Sequence, residues 1–127
     1  GVWRNSNATY YTVNSSNGNL SSPSLGASGD TPVPSDYDGD GKANYALRSG
    51  NNWIVLNASF TATTTTAWQL SSDLAVHNDY DGDGKTDIAT WRPSNGTWYI
   101  RKSSDLSTRT EQWGMNGDIP VPALYRR

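Results

Sequence analysis

The stretch Asp79-Tyr-Asp-Gly-Asp-Gly-Lys-Thr-Asp87 decides the fold, because an almost identical stretch, Asp36-Tyr-Asp-Gly-Asp-Gly-Lys-Ala-Asn44, precedes it in the same chain. When the sequence is aligned with itself, the best shift is about 43–45 residues, a period typical of β-propeller blades or other β-rich arrays. The repeat therefore predicts several copies of one β-rich unit.

Other segments repeat in the same register. Gly29-Asp-Thr-Pro-Val-Pro34 returns as Gly117-Asp-Ile-Pro-Val-Pro122, and Ser72–His77 is the middle copy with both prolines replaced. The further columns of equivalent residues are Trp3-Arg4, Leu47-Arg48 and Trp91-Arg92; Tyr10, Trp53 and Trp98; Leu25, Trp68 and Trp113; and Tyr37, Tyr80 and Tyr125. These columns predict a single domain, residues 1–127, of three units with approximate bounds 1–42, 43–85 and 86–127.

The composition favours an all-β chain whose core depends on aromatic side chains. Only 34% of the residues are hydrophobic, but six are Trp and seven are Tyr. Glu111 is the only Glu, whereas Ser, Thr and Asn, which favour turns and strands over helix, are abundant. Four strands are expected in the third unit, near Thr86–Arg92, Thr97–Lys102, Thr108–Trp113 and Ile119–Tyr125. Asn95-Gly96 is the strongest two-residue hairpin signal, and we expect three four-stranded antiparallel blades.

Charge and cysteine content exclude several functions. A net charge of −2 gives no reason to expect a nucleic-acid partner. The absence of Cys excludes disulfides, Cys-ligated zinc and thiol catalysis. No apolar run is long enough to cross a membrane, so membrane insertion is not expected.

The two carboxylate loops have the spacing of a calcium site. The side chains expected to supply ligands are Asp36, Asp38, Asp40 and Asn44 in the first loop, and Asp79, Asp81, Asp83 and Asp87 in the second. The backbone carbonyls of Lys42 and Lys85 are further candidates, with each ammonium pointing to water. A hard cation takes six to eight oxygens, which alternate side chains in a tight glycine-containing loop can supply. We expect two calcium ions per chain.

Two other interpretations of these loops were weighed. An EF-hand needs a bidentate acid at its twelfth position and flanking helices, but Leu47 or Thr90 stands there and strands are expected on both sides. A metal-free turn is the other alternative, because Asp, Asn and Gly are ordinary turn residues. Three or four converging carboxylates would repel each other without a cation, which favours the metal.

The chain resembles the FG-GAP/VCBS repeats of integrin-α-like β-propellers. The resemblance rests on the two loops, on Asp87-Ile-Ala-Thr-Trp-Arg-Pro-Ser-Asn-Gly-Thr-Trp-Tyr-Ile100 and on Gly117–Pro122, and it covers the whole chain. It implies propeller blades with calcium in the loops and carries the family's ligand positions onto the side chains named above. Asn44 replaces the last Asp of that pattern, which should weaken the first site. A third loop would begin at Leu124-Tyr125, but Leu replaces its first Asp.

Aromatic residues raise a second interpretation. Trp53 and Trp98 are expected in the core, whereas Trp68 and Trp113, at the ends of their strands, are candidates for lining a ligand pocket. Arg4, Arg48 and Arg92 are expected to form structural salt bridges or to stack on a neighbouring Trp, and ligand binding is the alternative. His77 has no partner set for a catalytic triad, and the clustered Asp residues are already assigned to the loops, so no enzyme activity is expected.

These observations predict a secreted or cell-surface, non-catalytic binding or scaffold module that is stapled by calcium. The alternative is a lectin that binds glycans in Trp pockets between blades. The ligand of the module could be either a glycan or a protein. Three blades are too few to close a propeller, which typically has four to eight. Two copies would give six, so a homodimer is the leading expectation, and a place within a longer propeller is the alternative.

Overall fold

A computed structural model describes residues 1–122. Its described part is all-β and antiparallel, as the composition predicts, with one short 3-10 turn at Asn5–Asn7. The strands are β1 (Val2–Arg4), β2 (Thr9–Val13), β3 (Leu20–Ser21), β4 (Thr31–Pro32), β5 (Ala46–Ser49), β6 (Asn52–Leu56), β7 (Thr63–Ala67), β8 (Leu74–Ala75), β9 (Ile88–Arg92), β10 (Thr97–Arg101) and β11 (Thr108–Gln112).

The strands form three sheets that follow one another along the chain. The first sheet has the order β1-β2-β3, the second β4-β5-β6-β7 and the third β8-β9-β10-β11. Sequential strands therefore pair with their neighbours, and each of the two larger sheets is a four-stranded meander. We call them sheet 1, sheet 2 and sheet 3.

The grouping of strands differs from the expected one by one strand. The expected third unit begins at Thr86 and ends with a strand near Ile119–Tyr125, whereas sheet 3 begins with β8, before the second carboxylate loop. An antiparallel bridge between Asn78 and Asp87 closes that loop, so the strand before it pairs with the strand after it. Residues 119–122 form no strand, and the rest of that expected strand lies outside the described residues, as does the third loop proposed at Leu124-Tyr125.

Three hydrophobic clusters make up the core. The first joins sheets 1 and 2 through Tyr10, Leu25, Leu47 and Leu56. The second joins sheets 2 and 3 and is built from Val33, Ala46, Trp53 and Ile88. The third belongs to sheet 3 and consists of Val76, Ala89, Trp91 and Ile100.

Large aromatic side chains fill these clusters, as the low aliphatic content predicts. Trp53 and Trp91 are completely buried, and the hydroxyl of Tyr10 donates a 2.6 Å hydrogen bond to the carbonyl of Ala46 in the next sheet. Trp98, which was expected in the core beside Trp53, is only half-buried and packs at the margin of the third cluster.

The strand registers show that Arg48 is not the structural equivalent of Arg4 and Arg92, although the sequence repeat aligns the three. Trp3 pairs with Tyr10 and Trp91 pairs with Trp98, but the residue opposite Trp53 is Arg48. Arg48 therefore occupies the position of a tryptophan, because the turn between β5 and β6 is shorter than the corresponding turns of the other sheets. Within residues 1–122, no helix is long and apolar enough to cross a membrane.

Candidate metal sites

Each carboxylate loop connects two adjacent strands of one sheet. The first loop lies between β4 and β5, and the second between β8 and β9. A bridge between Ser35 and Asn44 closes the first loop at its base, in the same way that the Asn78–Asp87 bridge closes the second. The repeat in sequence is thus also a repeat in backbone geometry.

The first aspartate of each loop organises the backbone around it. The two carboxylate oxygens of Asp36 accept hydrogen bonds from the amides of Gly39 and Gly41 at 2.7 and 2.8 Å. Asp79 makes the same two bonds in the second loop, at 2.7 and 3.0 Å. Gly39 and Gly41 have φ angles of +81° and +84°, which glycine adopts without strain.

The second and third aspartates each accept the amide two residues further on. The Asp40 amide donates to Asp38 Oδ1 at 3.2 Å, and the Lys42 amide donates to Asp40 Oδ1 at 2.8 Å. The second loop repeats both distances at Asp81 and Asp83. Each of these carboxylates therefore has its orientation fixed by the loop backbone.

The last position differs between the loops. Asn44 Oδ1 accepts the amide of Tyr37 at 2.8 Å, and its Nδ2 donates to Asp38 Oδ2 at 3.0 Å. Asp87 is completely buried, and its two oxygens accept the amides of Tyr80 and Ser103, both at 2.7 Å. Asn44 thus donates a hydrogen bond to a neighbouring carboxylate, whereas Asp87 adds a negative charge to the second loop.

The loops bring most of the expected acidic ligands together. Carboxylate oxygens of Asp36, Asp38 and Asp40 lie within 4.8 Å of one another, and so do those of Asp79, Asp81 and Asp87. Asp83 is outside the second cluster, and its Oδ2 accepts a 2.9 Å hydrogen bond from Ser103 Oγ. Three acidic side chains per loop can thus reach one ion, which fits the oxygen-rich coordination that calcium requires.

Electrostatics at these side chains depend on their hydrogen bonds and burial. The hydrogen bond from Asn44 lowers the pKa of Asp38, which keeps that carboxylate ionised. Burial acts to raise the pKa of Asp81, but hydrogen bonds from Ser104 and the Asp83 amide outweigh it and lower the pKa. Burial raises the pKa of Asp87 in spite of the two amides that it accepts.

Among residues 1–122, no cationic side chain forms a salt bridge with the clusters. The two salt bridges found within residues 1–122 are Arg92–Asp73 and Arg109–Glu111, and neither involves a loop carboxylate. Both lysines of the loops contribute their amides to the loop backbone, but no ion pair. The carboxylates therefore present an uncompensated negative charge that suits a bound cation.

Two hydrogen bonds to the second loop were not predictable from the sequence. Ser103 and Ser104, in the turn after β10, hydrogen-bond the carboxylates of Asp83 and Asp81 at 2.9 and 2.6 Å. Serines are common in this chain, so nothing in the local pattern distinguishes these two. Hydrogen bonds of this kind orient carboxylates for a bound ion. Among the described residues, the aspartates of the first loop receive no such hydroxyl contact, whereas Asp81 and Asp83 receive one each.

The loops also contact each other. The Thr86 amide donates to the Asp36 carbonyl at 2.8 Å, and the Thr86 and Ser35 hydroxyls are 2.7 Å apart. A Cβ added at Gly39 would lie 3.0 Å from Lys85 Cγ, so the stem of this lysine covers the first loop. The stem of Lys85, whose ammonium was expected to point to water, is therefore part of the contact between the loops.

The two candidate tryptophans have different environments. Trp68 packs against the second cluster, and its Nε1 donates to the carbonyl of Tyr99 in sheet 3 at 3.2 Å. Trp113 is 79% exposed, and its carbonyl accepts hydrogen bonds from the indoles of Trp91 and Trp98. Trp68 is thus an interface residue, and Trp113 is the candidate with an open ring.

No protein-family model matches this chain, and no match was found among curated proteins or solved structures.

Proposed function

We propose that this chain is a calcium-stapled module of FG-GAP/VCBS-like β-propeller blades that acts at the cell surface or in secreted form as a non-catalytic binding or scaffold domain. The observation that carries the proposal is the duplicated loop, in which three carboxylates converge within 4.8 Å in each copy. Oxygen-only ligands and a glycine-shaped loop favour calcium over transition metals, which prefer nitrogen and sulfur.

In this proposal the ions act on the fold and take no part in a reaction. Each loop joins the first two strands of a four-stranded sheet, so an ion would fix the connection between them. The Lys42 and Lys85 carbonyls are the proposed backbone ligands. All the clustered carboxylates are assigned to ions, and this leaves no acid–base pair for hydrolysis.

Titration calorimetry with calcium tests the proposal. We expect two sites per chain, of which the second is tighter because Asp87 supplies a carboxylate where the first loop has Asn44. Asn44→Asp should tighten the first site, and Asp87→Asn should weaken the second by at least about tenfold. Glu111→Gln, which removes a carboxylate outside both clusters, is the matched control and should change neither site. A wild-type chain that binds no calcium at millimolar concentration contradicts the proposal.

Glycan binding is the second candidate function, and the open indole of Trp113 is the observation that favours it. Aromatic rings are common platforms for apolar surfaces of ligands, and Trp combines such a surface with a donor. A glycan array with the wild type and with Trp113→Ala separates this function from the first. Binding that survives the substitution would exclude Trp113 as the platform.

A further inference from the structure

Sheet 1 has one strand fewer than the other two sheets. In sheets 2 and 3 the strands β5 and β9 are paired on both sides, and their outer partners are the short strands β4 and β8. The equivalent strand of sheet 1 is β1, which pairs with β2 alone within residues 1–122. Among the described residues its other edge has no strand partner, which is an arrangement that favours addition of a strand.

The segment Gly117–Pro122 has the sequence that would fill this edge. It matches Gly29–Pro34, which contains β4, at five of six positions. Its turn already has the right form, because the Asp118 carboxylate accepts the Met115 amide at 2.9 Å, as Asp30 accepts the Ala27 amide at 2.8 Å. The segment is nevertheless unpaired in the described part of the chain.

The apolar side chains of this segment are uncovered. Val121 is 83% exposed, whereas its equivalents Val33 and Val76 are each 1% exposed in the cores of their sheets. Ile119 is 84% exposed. Burial of two such apolar side chains favours association.

A groove is lined by residues of both sheet 1 and sheet 2. Gly1, Val2 and Trp3 are among its lining residues, and so are Pro32 and Pro34. Pro32 belongs to β4, the outer strand of the neighbouring sheet. The groove therefore borders both β1 and the strand of sheet 2 that has no counterpart in sheet 1.

Arg4 and Asp118 are the repeat equivalents of Arg92 and Asp73, which form an ion pair between β9 and the turn before β8. Arg92 binds Asp73 at 2.9 Å and lies 4.4 Å above the ring of Tyr99. Arg4 lies at the same distance above Tyr11 but has no acidic partner within residues 1–122. Asp118 is the repeat equivalent of Asp73, and it has no basic partner in the same range.

The indole of Trp113 completes the match. Its equivalent Trp68 donates from Nε1 to the carbonyl of Tyr99 across the contact between sheets 2 and 3. Tyr11 has the register of Tyr99, because it pairs one residue beyond the Trp3–Tyr10 pair just as Tyr99 follows the Trp91–Trp98 pair. Trp113 of one copy would therefore meet the Tyr11 carbonyl of another, so this contact and the glycan platform are alternative roles for the same indole.

We propose that the segment Gly117–Pro122 of one copy adds as the fourth strand to β1 of a second copy, with Arg4 pairing with Asp118 across the junction. The register of β8 on β9, Leu74 opposite Trp91 and Ala75 opposite Thr90, places Ile119 opposite Trp3 and Pro120 opposite Val2. Two copies that exchange segments reciprocally close the assembly, since repeated head-to-tail contacts otherwise continue into filaments. This assembly is independent of the metal proposal.

Disulfide trapping tests the register directly, because the chain has no cysteine of its own. Single variants Val2→Cys and Pro120→Cys are mixed at equal concentration under mild oxidation, and we expect a heterodimeric cross-link on a non-reducing gel. Val2 is 61% exposed, so its replacement should leave the fold intact. The control is Leu20→Cys, on the far strand of the same sheet and 80% exposed, which should not cross-link with Pro120→Cys.

Light scattering provides the second readout. The wild type should have twice its chain mass of 13.8 kDa. Arg4→Gln and Asp118→Asn should each weaken the dimer by about 30-fold, the lower end expected for truncating one member of a buried charge pair at an interface. Arg109→Gln, in an exposed ion pair, should leave it unchanged. A wild type that stays monomeric at about 100 micromolar, a concentration that suffices for a weak interface, overturns the proposal. The absence of a cross-link between Val2→Cys and Pro120→Cys also overturns it, and so does an intramolecular cross-link in the double Cys variant.

Discussion

Asp73 is the residue at which the contacts of sheets 2 and 3 converge. Its carboxylate is fully buried and binds the guanidinium of Arg92 at 2.9 and 3.0 Å. The Leu70 amide donates to Oδ2 at 3.3 Å, and Arg48 donates to the Asp73 backbone carbonyl. A single acid in a turn thus connects an arginine from each of two sheets.

Asp73→Asn should destabilise the protein by about 3 kcal/mol, because it leaves Arg92 half-buried without its counter-charge. Glu111→Gln is the matched control, since it breaks the other ion pair, whose side chains are 50% and 55% exposed, and should cost about 0–1 kcal/mol. Urea unfolding of the three proteins measures both values. Equal costs for the two substitutions would mean that Asp73 acts only through the shape of its turn.

The structural role of Arg92 was predictable from the sequence, but its ring partner was not. Arg92 pairs with Asp73 as expected, and the ring on which it stacks is Tyr99 and not a Trp. Arg48 shares a column with Arg92 in the sequence repeat, but the strand register sets Arg48 opposite Trp53. The difference arises from turn length, which a self-alignment absorbs as a gap of uncertain position.

The hairpin between β9 and β10 shows what a local signal does and does not determine. Asn95-Gly96 predicts a hairpin, and β9 and β10 do pair, but with Arg92 opposite Thr97 the connection has four residues and not two. The Gly96 amide donates to the Arg92 carbonyl at 2.9 Å, and the Asn95 side chain accepts the Thr97 amide at 3.1 Å. These bonds close a longer turn in which only Gly96 has a positive φ, of +63°.

Gly96→Ala should destabilise the protein by more than the cost of a left-handed alanine. A Cβ at this position would lie 2.1 Å from the carbonyl oxygen of Gly114, which is backbone and cannot rotate away. Gly18→Ala is the control, with φ +72° and open space around its Cβ, and it should cost only about 1 kcal/mol. We expect Gly96→Ala to cost at least twice as much by chemical denaturation; equal costs would show that the turn relaxes freely.

The strand elements were largely predictable, but their partners were not. Alternation and turn residues place β9, β10 and β11 within two residues of the expected bounds. A period of two residues shows where a strand lies and which side chains share a face, but it does not identify the strand that pairs with it. That is why β8 was assigned to the preceding unit, although it pairs with β9.

At the scale of the whole molecule, bound calcium should raise stability. An ion that binds the folded loops and not the unfolded chain adds about 2.7 kcal/mol per site at 100 times its dissociation constant. The melting temperature should therefore rise with calcium and fall in chelator. The double variant Asp36→Asn/Asp79→Asn should show no such response, because it removes the first ligand of both loops. If the melting temperature of the wild type does not change in chelator, bound ions do not stabilise the fold.

The convergence of the loop carboxylates was the most predictable feature of the molecule, because the spacing of side chains within one loop depends on local backbone geometry. Asp36, Asp38 and Asp40 converge as expected, and so do Asp79, Asp81 and Asp87. Asp83 is not in its cluster, and its Oδ2 accepts a hydrogen bond from Ser103, 20 residues away in the chain. Contacts that arrive from a distant part of the chain leave no trace in the spacing of a loop.

The serial order of the three core clusters has a consequence for how the chain can change its length. The first cluster joins sheets 1 and 2, the second joins sheets 2 and 3, and the third belongs to sheet 3. Arrays with nearest-neighbour interfaces of this kind have stabilities that approximate sums over units and junctions. A duplication or loss of one whole unit would then create a single new junction from surfaces already complementary, so the array can grow or shrink without a new core.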